Sequence, residues 1–270
     1  SSDREPIMNA TATLRPSFTV HGHTLTRLQV GFLAGGLVAV AIVCLAIAAP
    51  LDESALRWVK SGSAVLLFVA AFARRPAHRL LGWVVAALGV SALGDLFMTG
   101  ILVLPAGLTK LAGMGCFLVA YALLTVAFWH GRRLRGPDVA WLAPYLVAGG
   151  ALIAVLWPHL GGVMAVAVPV FTAGIVTMAW AAALTTRRGV YTHDVAVWFA
   201  AAAAILVASD AAVAFVMFDP PPAAASVSVD VWIRLTYLVG WLLLLLAVVD
   251  PRPVHPGALD AAAPRRQVAA

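Results

Sequence analysis

Eight apolar runs of about 20 residues, broken by Arg, Pro, Gly and Asp, fill residues 28 to 249 almost end to end. A run of that length crosses the ~30 Å hydrocarbon core of a bilayer as a helix, the one single-segment form that satisfies its own backbone there. The runs are approximately Leu28–Ala49, Ala55–Ala73, Arg79–Gly100, Leu108–Trp129, Pro137–Trp157, Leu160–Leu184, Asp194–Phe218 and Asp230–Val249. Composition agrees. Of the 270 residues, 62% are hydrophobic and 11% charged, against roughly 45–50% apolar and about 25% charged in a soluble domain. The expected fold is all-α, a polytopic membrane bundle of eight transmembrane helices. An ordinary soluble enzyme and a disordered chain are both excluded.

The connections are short, and the only sizeable one is the Pro-rich loop around Pro220–Pro222. No separate soluble domain fits between spans. The chain therefore divides into an N-terminal tail (1–27), a transmembrane domain (28–249) and a C-terminal tail (250–270), with both tails expected to be disordered. Ser1 to Thr26 holds no apolar stretch ahead of a small-residue cleavage site, so no signal peptide is expected.

A pI of about 10.0 invites a nucleic-acid reading, but the basic residues are placed otherwise. Arg4, Arg15, Arg27, Arg74, Arg75, Arg79, Arg132, Arg133, Arg135, Arg187, Arg188, Arg252, Arg265 and Arg266 all fall on one side of the alternating spans. Arg57, Lys60, Lys110 and Arg234 fall on the other. Fourteen against four is the asymmetry of positive-inside topology. It puts both termini in the cytoplasm and the chain in the cell's inner (plasma) membrane. The expected partner is the bilayer, and no nucleic acid is expected.

Cys44 and Cys116 lie inside apolar runs with no CxxC neighbour, so they read as small buried hydrophobes rather than a disulfide or thiolate site. His21, His23, His78, His130, His159, His193 and His255 sit in tails, loops or helix ends. None forms a ligand pair on a helix face, and neither metal nor cofactor is expected.

Of twelve acidic residues, only Asp95 and Asp210 fall well inside spans. Asp138, Asp194 and Asp230 are read as helix openers, where a carboxylate meets free backbone N–H groups. A charge in hydrocarbon costs several kcal/mol or more unless paired or hydrated, so the two interior aspartates are functional candidates by default. Each lies 16 residues beyond the cytoplasmic start of its span, at Arg79 and Asp194. That is about 24 Å at 1.5 Å per residue, in the outer third of the bilayer. Small residues, Gly94 and Ser209, precede them and allow a neighbouring helix to approach. Lys60 and Tyr237, entering from the outer side, reach a comparable depth, and Tyr121 lies somewhat deeper. Asp95 to Tyr121 spans 26 positions and Asp210 to Tyr237 spans 27, which points to a 4+4 parallel pseudo-repeat.

Plainer readings stand beside these. An intramembrane Asp pairing with Lys60 can merely hold a bundle together. Tyr237 suits the aromatic belt, and Trp58, Trp129, Trp141, Trp157, Trp232 and Trp241 suit belt or packing positions. Arg234 is placed to pair with Asp230 at i, i+4.

The same residues resemble the lysoplasmalogenase (YhhN-like) family of eight-helix membrane proteins. The resemblance runs through nearly all the spanning region: Lys60, Leu93-Gly94-Asp95, the stretch from Gly113 to Phe117, Val168-Pro169-Val170, Met178, Ser209-Asp210 and Thr236-Tyr237. It rests on their order, as no single motif is specific. The chain departs from the family pattern at Ser61, where Pro is usual, at Tyr121, where His is usual, and near Gly240, where a polar residue is usual. Both aspartates are intact.

The resemblance implies cleavage of the vinyl ether bond of lysoplasmalogen-type lysophospholipids, giving a fatty aldehyde and a glycerophospho-head-group compound. Asp95 and Asp210 would be catalytic, and Lys60, Tyr121, Tyr237 and Ser209 would meet the ether-lipid substrate. The residues fit that chemistry on their own account. Vinyl ether hydrolysis starts with proton transfer to an alkene carbon, and a carboxyl pair can donate the proton and steady the resulting cation. Two acids sharing a low-dielectric site do not both ionise, which supplies both forms. Lys60 would meet the phosphate.

Rival readings are a proton-coupled transporter, with Pro169 as the one candidate helix break, an inactive lipid-binding membrane protein, and an intramembrane aspartyl protease, whose Tyr-Asp and Pro-Ala-Leu elements are absent. The topology makes a direct prediction. A reporter active only outside the cytoplasm, fused after Ala270, stays silent, and activity from that fusion would overturn the orientation.

Overall fold

The computed structural model describes residues 18–20, 23–25, 27–49, 51–73, 76, 78–105, 108–129, 135–218, 223–250, 253 and 254. A two-stranded antiparallel hairpin, β1 (Phe18–Val20) and β2 (His23–Leu25), precedes the helices. They are α1 (Arg27–Ala48), α2 (Glu53–Ala73), α3 (Arg79–Met98), α4 (Leu108–Trp129), α5 (Gly136–Ala140), α6 (Ala143–Leu156), α7 (Met164–Arg188), α8 (His193–Phe218) and α9 (Ala223–Val248). Among the described residues, eight helical stretches are long and apolar enough to cross a membrane. The fifth joins α5, α6 and the 3-10 turn Trp157–His159. The eight-span reading therefore holds.

Several boundaries move, each for a local reason. The fifth span breaks at Trp141 and Leu142 just before Pro144, which has no N–H to donate and whose ring crowds the preceding turn. Pro169, the one candidate break of the transporter reading, sits inside an uninterrupted α7. That helix starts at Met164 rather than Leu160, because Gly162 takes a left-handed φ of 56°. It runs past Leu184 to a left-handed cap at Gly189. α3 stops at Met98, two residues short of Gly100, whose φ is 73°.

The largest correction is at α9. It begins at Ala223, seven residues before Asp230, so Asp230 does not open the helix. The Ala-rich stretch from 223 is a good helix former and continues the span outward. Asp138 does act at a helix start, its carboxylate accepting from the Arg135 N–H at 2.9 Å. Asp194 lies in the first turn of α8.

Paired residues also occur at the inner edges of both tails. Phe18 pairs across from Leu25 and Thr19 across from Thr24 within the expected N-terminal tail. After α9, Thr192 donates its N–H to the Pro253 carbonyl at 3.1 Å, and Gln29 Nε2 donates to Asp250 at 3.1 Å. These contacts gather residues 29, 192, 250 and 253 at one end of the bundle. Residues 1–17, 255–270, the Pro220–Pro222 loop and Arg4, Arg15, Arg74, Arg75, Arg132, Arg133, Arg252, Arg265 and Arg266 lie outside the described residues.

α9 occupies the middle, packing on α8, α1, α2 and α3. Its neighbour α8 comes close because Gly240 has no side chain: a Cβ there would sit 2.8 Å from the Leu206 Cγ and 3.4 Å from the Ala202 carbonyl. Gly94 does the same for α3 against Phe117 and Cys116 of α4. Between them lies a core of Leu124, Phe128, Phe199, Leu206 and Trp241, with the Phe128 and Phe199 rings 4.8 Å apart. Trp58, Trp141, Trp157 and Trp232 are exposed, as belt residues are, while Trp241 is fully buried packing. Leu45, Leu66, Val147 and many other large apolar residues face outward, which suits a lipid solvent. Cys44 and Cys116 are free and half-buried.

Overpacking at a close helix contact typically costs about 1–3 kcal/mol. Gly240→Leu should therefore lower the melting temperature of the purified protein clearly. Gly150→Leu, at a glycine with nothing within 4 Å of an added Cβ, should not. Equal melting temperatures would remove the α8–α9 contact from its central place.

Candidate active site

A cavity of about 530 Å³ opens at the end of the bundle opposite Gln29 and Asp250. It is bounded by the outer ends of α2, α3, α6, α7, α8 and α9, with α4 behind. The rim carries charge. Lys60 Nζ lies 2.6 Å from Asp230 Oδ2, and Arg57 lies 2.8 Å from Glu53 one turn away. Deeper walls are apolar, among them Phe117, Phe171, Ile175 and Val207. Asp95 and Asp210 line the space between.

Asp95 is buried, and its charge is met at once. Arg234 Nη1 stands 3.2 Å from one carboxylate oxygen and 3.3 Å from the other. The guanidinium also lies 5.7 Å from the centre of the Tyr237 ring, a cation–π arrangement. Tyr237 shares a 2.6 Å hydrogen bond with Ser91, one turn before Asp95. The Asp95 main-chain carbonyl accepts from the Thr99 hydroxyl at 2.8 Å, and Thr99 is paired with Ser61 at 2.7 Å. Ser61 thus braces the end of α3.

Asp210 has a different partner. The Tyr121 phenol donates to its Oδ2. Tyr121 is fully buried and held edge-on to Phe171, ring centres 5.7 Å apart. No basic side chain among the described residues pairs with Asp210. Ser209 turns its hydroxyl to the Ile233 carbonyl at 3.1 Å, tying α8 to α9.

Of the residues singled out from sequence, Asp95, Asp210, Lys60, Ser209 and Tyr237 line one cavity, and Tyr121 stands behind Asp210. Two pairings differ from expectation. Lys60 meets Asp230 rather than an interior aspartate, and Arg234 meets Asp95 rather than Asp230. The reason is physical. With α9 starting at Ala223, Arg234 lies eleven residues in, roughly 16 Å along the helix. A long Arg side chain there is far more valuable to a buried carboxylate than to a rim carboxylate that water reaches. Arg234 and Asp230 are the site residues that sequence reasoning missed. The available signal was spacing: Arg234 lies three residues before Tyr237, on the same helix face.

Among the described residues, no group of three His, Cys, Asp or Glu side chains could hold a metal ion. What the arrangement offers is two carboxyl groups with unlike partners in a mostly apolar chamber, beneath a rim of both charges. That is a setting for proton transfer to a molecule with a polar end and an apolar end.

The sequence model of the YhhN family matches residues 55–248. No curated protein and no solved structure matches the chain.

The two ion pairs differ in environment, and their loss should differ too. Side-chain exposure is 4% for Asp95 but 42% for Asp230. Arg234→Met leaves a buried charge alone and should cost about 3–5 kcal/mol, whereas Lys60→Met should cost about 0–1 kcal/mol. Removing both partners, in Arg234→Met with Asp95→Leu, should recover much of the loss. Thermal unfolding of the purified variants decides this, and equal losses from the two single variants would contradict it.

Proposed function

The chain belongs to the YhhN family, which includes lysoplasmalogenases, and from that premise we propose an intramembrane hydrolase that cleaves the vinyl ether bond of lysoplasmalogen-type lysophospholipids. The observation that carries the reading is the placing of Asp95 and Asp210 on one chamber between a charged rim and an apolar depth. A single-chain ether lipid has its parts in that order: a charged head group, the ether bond and a hydrocarbon tail.

In this reading Lys60, with Arg57 near it, receives the phosphate at the rim, and the tail extends along Phe171, Ile175 and Val207. One carboxyl gives its proton to the alkene carbon away from the ether oxygen. The positive charge this creates on the ether-bearing carbon is steadied by the other, ionised carboxyl, which also takes a proton from the attacking water. The hemiacetal so formed falls apart to a fatty aldehyde and the freed glycerol hydroxyl. Water is consumed, and both carboxyls return to their starting forms. Tyr121 and Tyr237 hold the two aspartate-bearing helices in place from α4 and α9.

The basic asymmetry supports an orientation with both termini in the cytoplasm. The cavity then opens on the outer side of the cell's inner (plasma) membrane, where a lysophospholipid can reach it from the outer leaflet.

Release of fatty aldehyde from a lysoplasmalogen by the purified protein in detergent tests the function. Asp95→Asn and Asp210→Asn should each lose ~10²–10⁴-fold in turnover, and the double variant should be little worse than the worse single. Lys60→Met should act mainly on KM. Near-normal turnover by a well-folded Asp210→Asn protein would remove that residue from the chemistry. If instead the aspartates were only structural, yield and melting temperature would fall while the turnover of the folded fraction stayed.

A further inference from the structure

Two carboxyls on one chamber need not be interchangeable, and here only one of them is held by a cation. Asp95, on α3, is bridged through both oxygens to the Arg234 guanidinium. Asp210, on α8, has the Tyr121 phenol on Oδ2. The other charged and titratable groups facing them are accounted for. On α2, Lys60 is held by Asp230 and Arg57 by Glu53. On α9, Tyr237 bonds Ser91 and also donates toward the Asp95 carboxylate. The remaining polar neighbours, Thr99, Thr172 and Ser209, carry no charge, and α6 contributes only apolar side chains to the cavity.

We infer that Arg234 is a positioning residue that keeps Asp95 as the anionic base and thereby makes Asp210 the proton donor, an inference that rests on the hydrolase reading above. A carboxylate clamped by a guanidinium in a low-dielectric site is ionised. The second carboxyl on the same chamber, with no cation of its own, carries the proton, because two acids sharing one low-dielectric site do not ionise together. The Tyr121 phenol occupies Oδ2, which leaves Oδ1 of Asp210 to bear that proton toward the chamber.

The steps then balance. The Asp210 O–H proton passes to the alkene carbon, whose π electrons form the new C–H bond and leave an oxocarbenium ion. Water bonds to the ether-bearing carbon as Asp95 takes one of its protons. In the collapse, Asp95 returns a proton to the glycerol oxygen as the C–O bond breaks. Asp210 takes the hemiacetal hydroxyl proton and is ready again. Arg234 takes no proton in these steps; it sets which carboxyl starts charged.

The test uses the full chain in detergent and two independent readouts. In aldehyde release, Arg234→Gln should lose about 10²-fold in kcat, on the scale of a general acid–base group, with KM little changed. Arg234→Lys, which keeps the charge, should recover part of it. Asp95→Ala should be rescued at neutral pH by formate, an anion the freed guanidinium can hold. Asp210→Ala should not be, since formate at that pH brings no proton. Rescue should vanish in Asp95→Ala combined with Arg234→Gln. In infrared spectra, which need no turnover, the protonated-carboxyl stretch should disappear in Asp210→Asn and persist in Asp95→Asn.

Wild-type kinetics in folded Arg234→Gln would overturn the inference. So would formate rescue of Asp210→Ala in place of Asp95→Ala, or a stretch lost in Asp95→Asn. A wild-type protein that releases no aldehyde would instead overturn the hydrolase reading and the catalytic half of this one, and the infrared bands would still decide the charge asymmetry alone.

Discussion

A carboxylate at hydrocarbon depth must be neutralised, and in this bundle the Arg234–Asp95 pair does it. Neither member can be exposed to solve the problem, since Asp95 sits on the inner face of α3 and Arg234 on the central helix. The pair therefore fixes the register of α9 against α3. That register in turn puts Tyr237 beside Ser91 and leaves Asp230 at the level of Lys60. The extra turns of α9 from Ala223 outward carry Asp230 to the rim, where a Lys–Asp pair is cheap because water reaches it. The rim pair and the buried pair are two consequences of one helix position.

The chamber follows from the same constraint. Lipid around the bundle offers no hydrogen bonds, so the polar groups inside are directed to one another, the buried Trp241 Nε1 excepted. Tyr121 on α4 reaches Asp210 on α8, and Tyr237 on α9 reaches Ser91 on α3. Each half of the chain thus supplies a phenol to the aspartate-bearing helix of the other half. Gly94 lets α3 and α4 come close, and Gly240 lets α8 and α9 do so. The space left between them is polar at one end and apolar at the other, the shape of surroundings that an amphipathic single-chain lipid requires.

Much of this was legible in the amino-acid order. Hydrocarbon thickness and backbone satisfaction turn any run of about 20 apolar residues into a span, so eight spans needed no tertiary information. Charge in lipid is so costly that Asp95 and Asp210 stand out as soon as the spans are drawn. Equal distances from the starts of two spans that run the same way put them at one depth. Residues that punctuate, such as Gly100, Gly162 and Pro144, shifted boundaries by a few positions, because a left-handed φ or a missing N–H acts locally. The start of α9 was misplaced for the opposite reason: an Asp that looks like a cap is indistinguishable in sequence from one that faces a lysine on another helix.

Partnership was the part that only the tertiary structure decided. The sequence by itself determined an all-helical membrane bundle and two aspartates set well inside its spans. It could not determine that Arg234 turns to Asp95 rather than to Asp230 four residues away, or that Lys60 takes Asp230. On an isolated helix the i, i+4 pair is the nearest choice and is worth only a few tenths of a kcal/mol. In the folded bundle a buried carboxylate on a different helix outbids it by several kcal/mol, and a contact between residues 139 positions apart exists only once α3 and α9 are packed together.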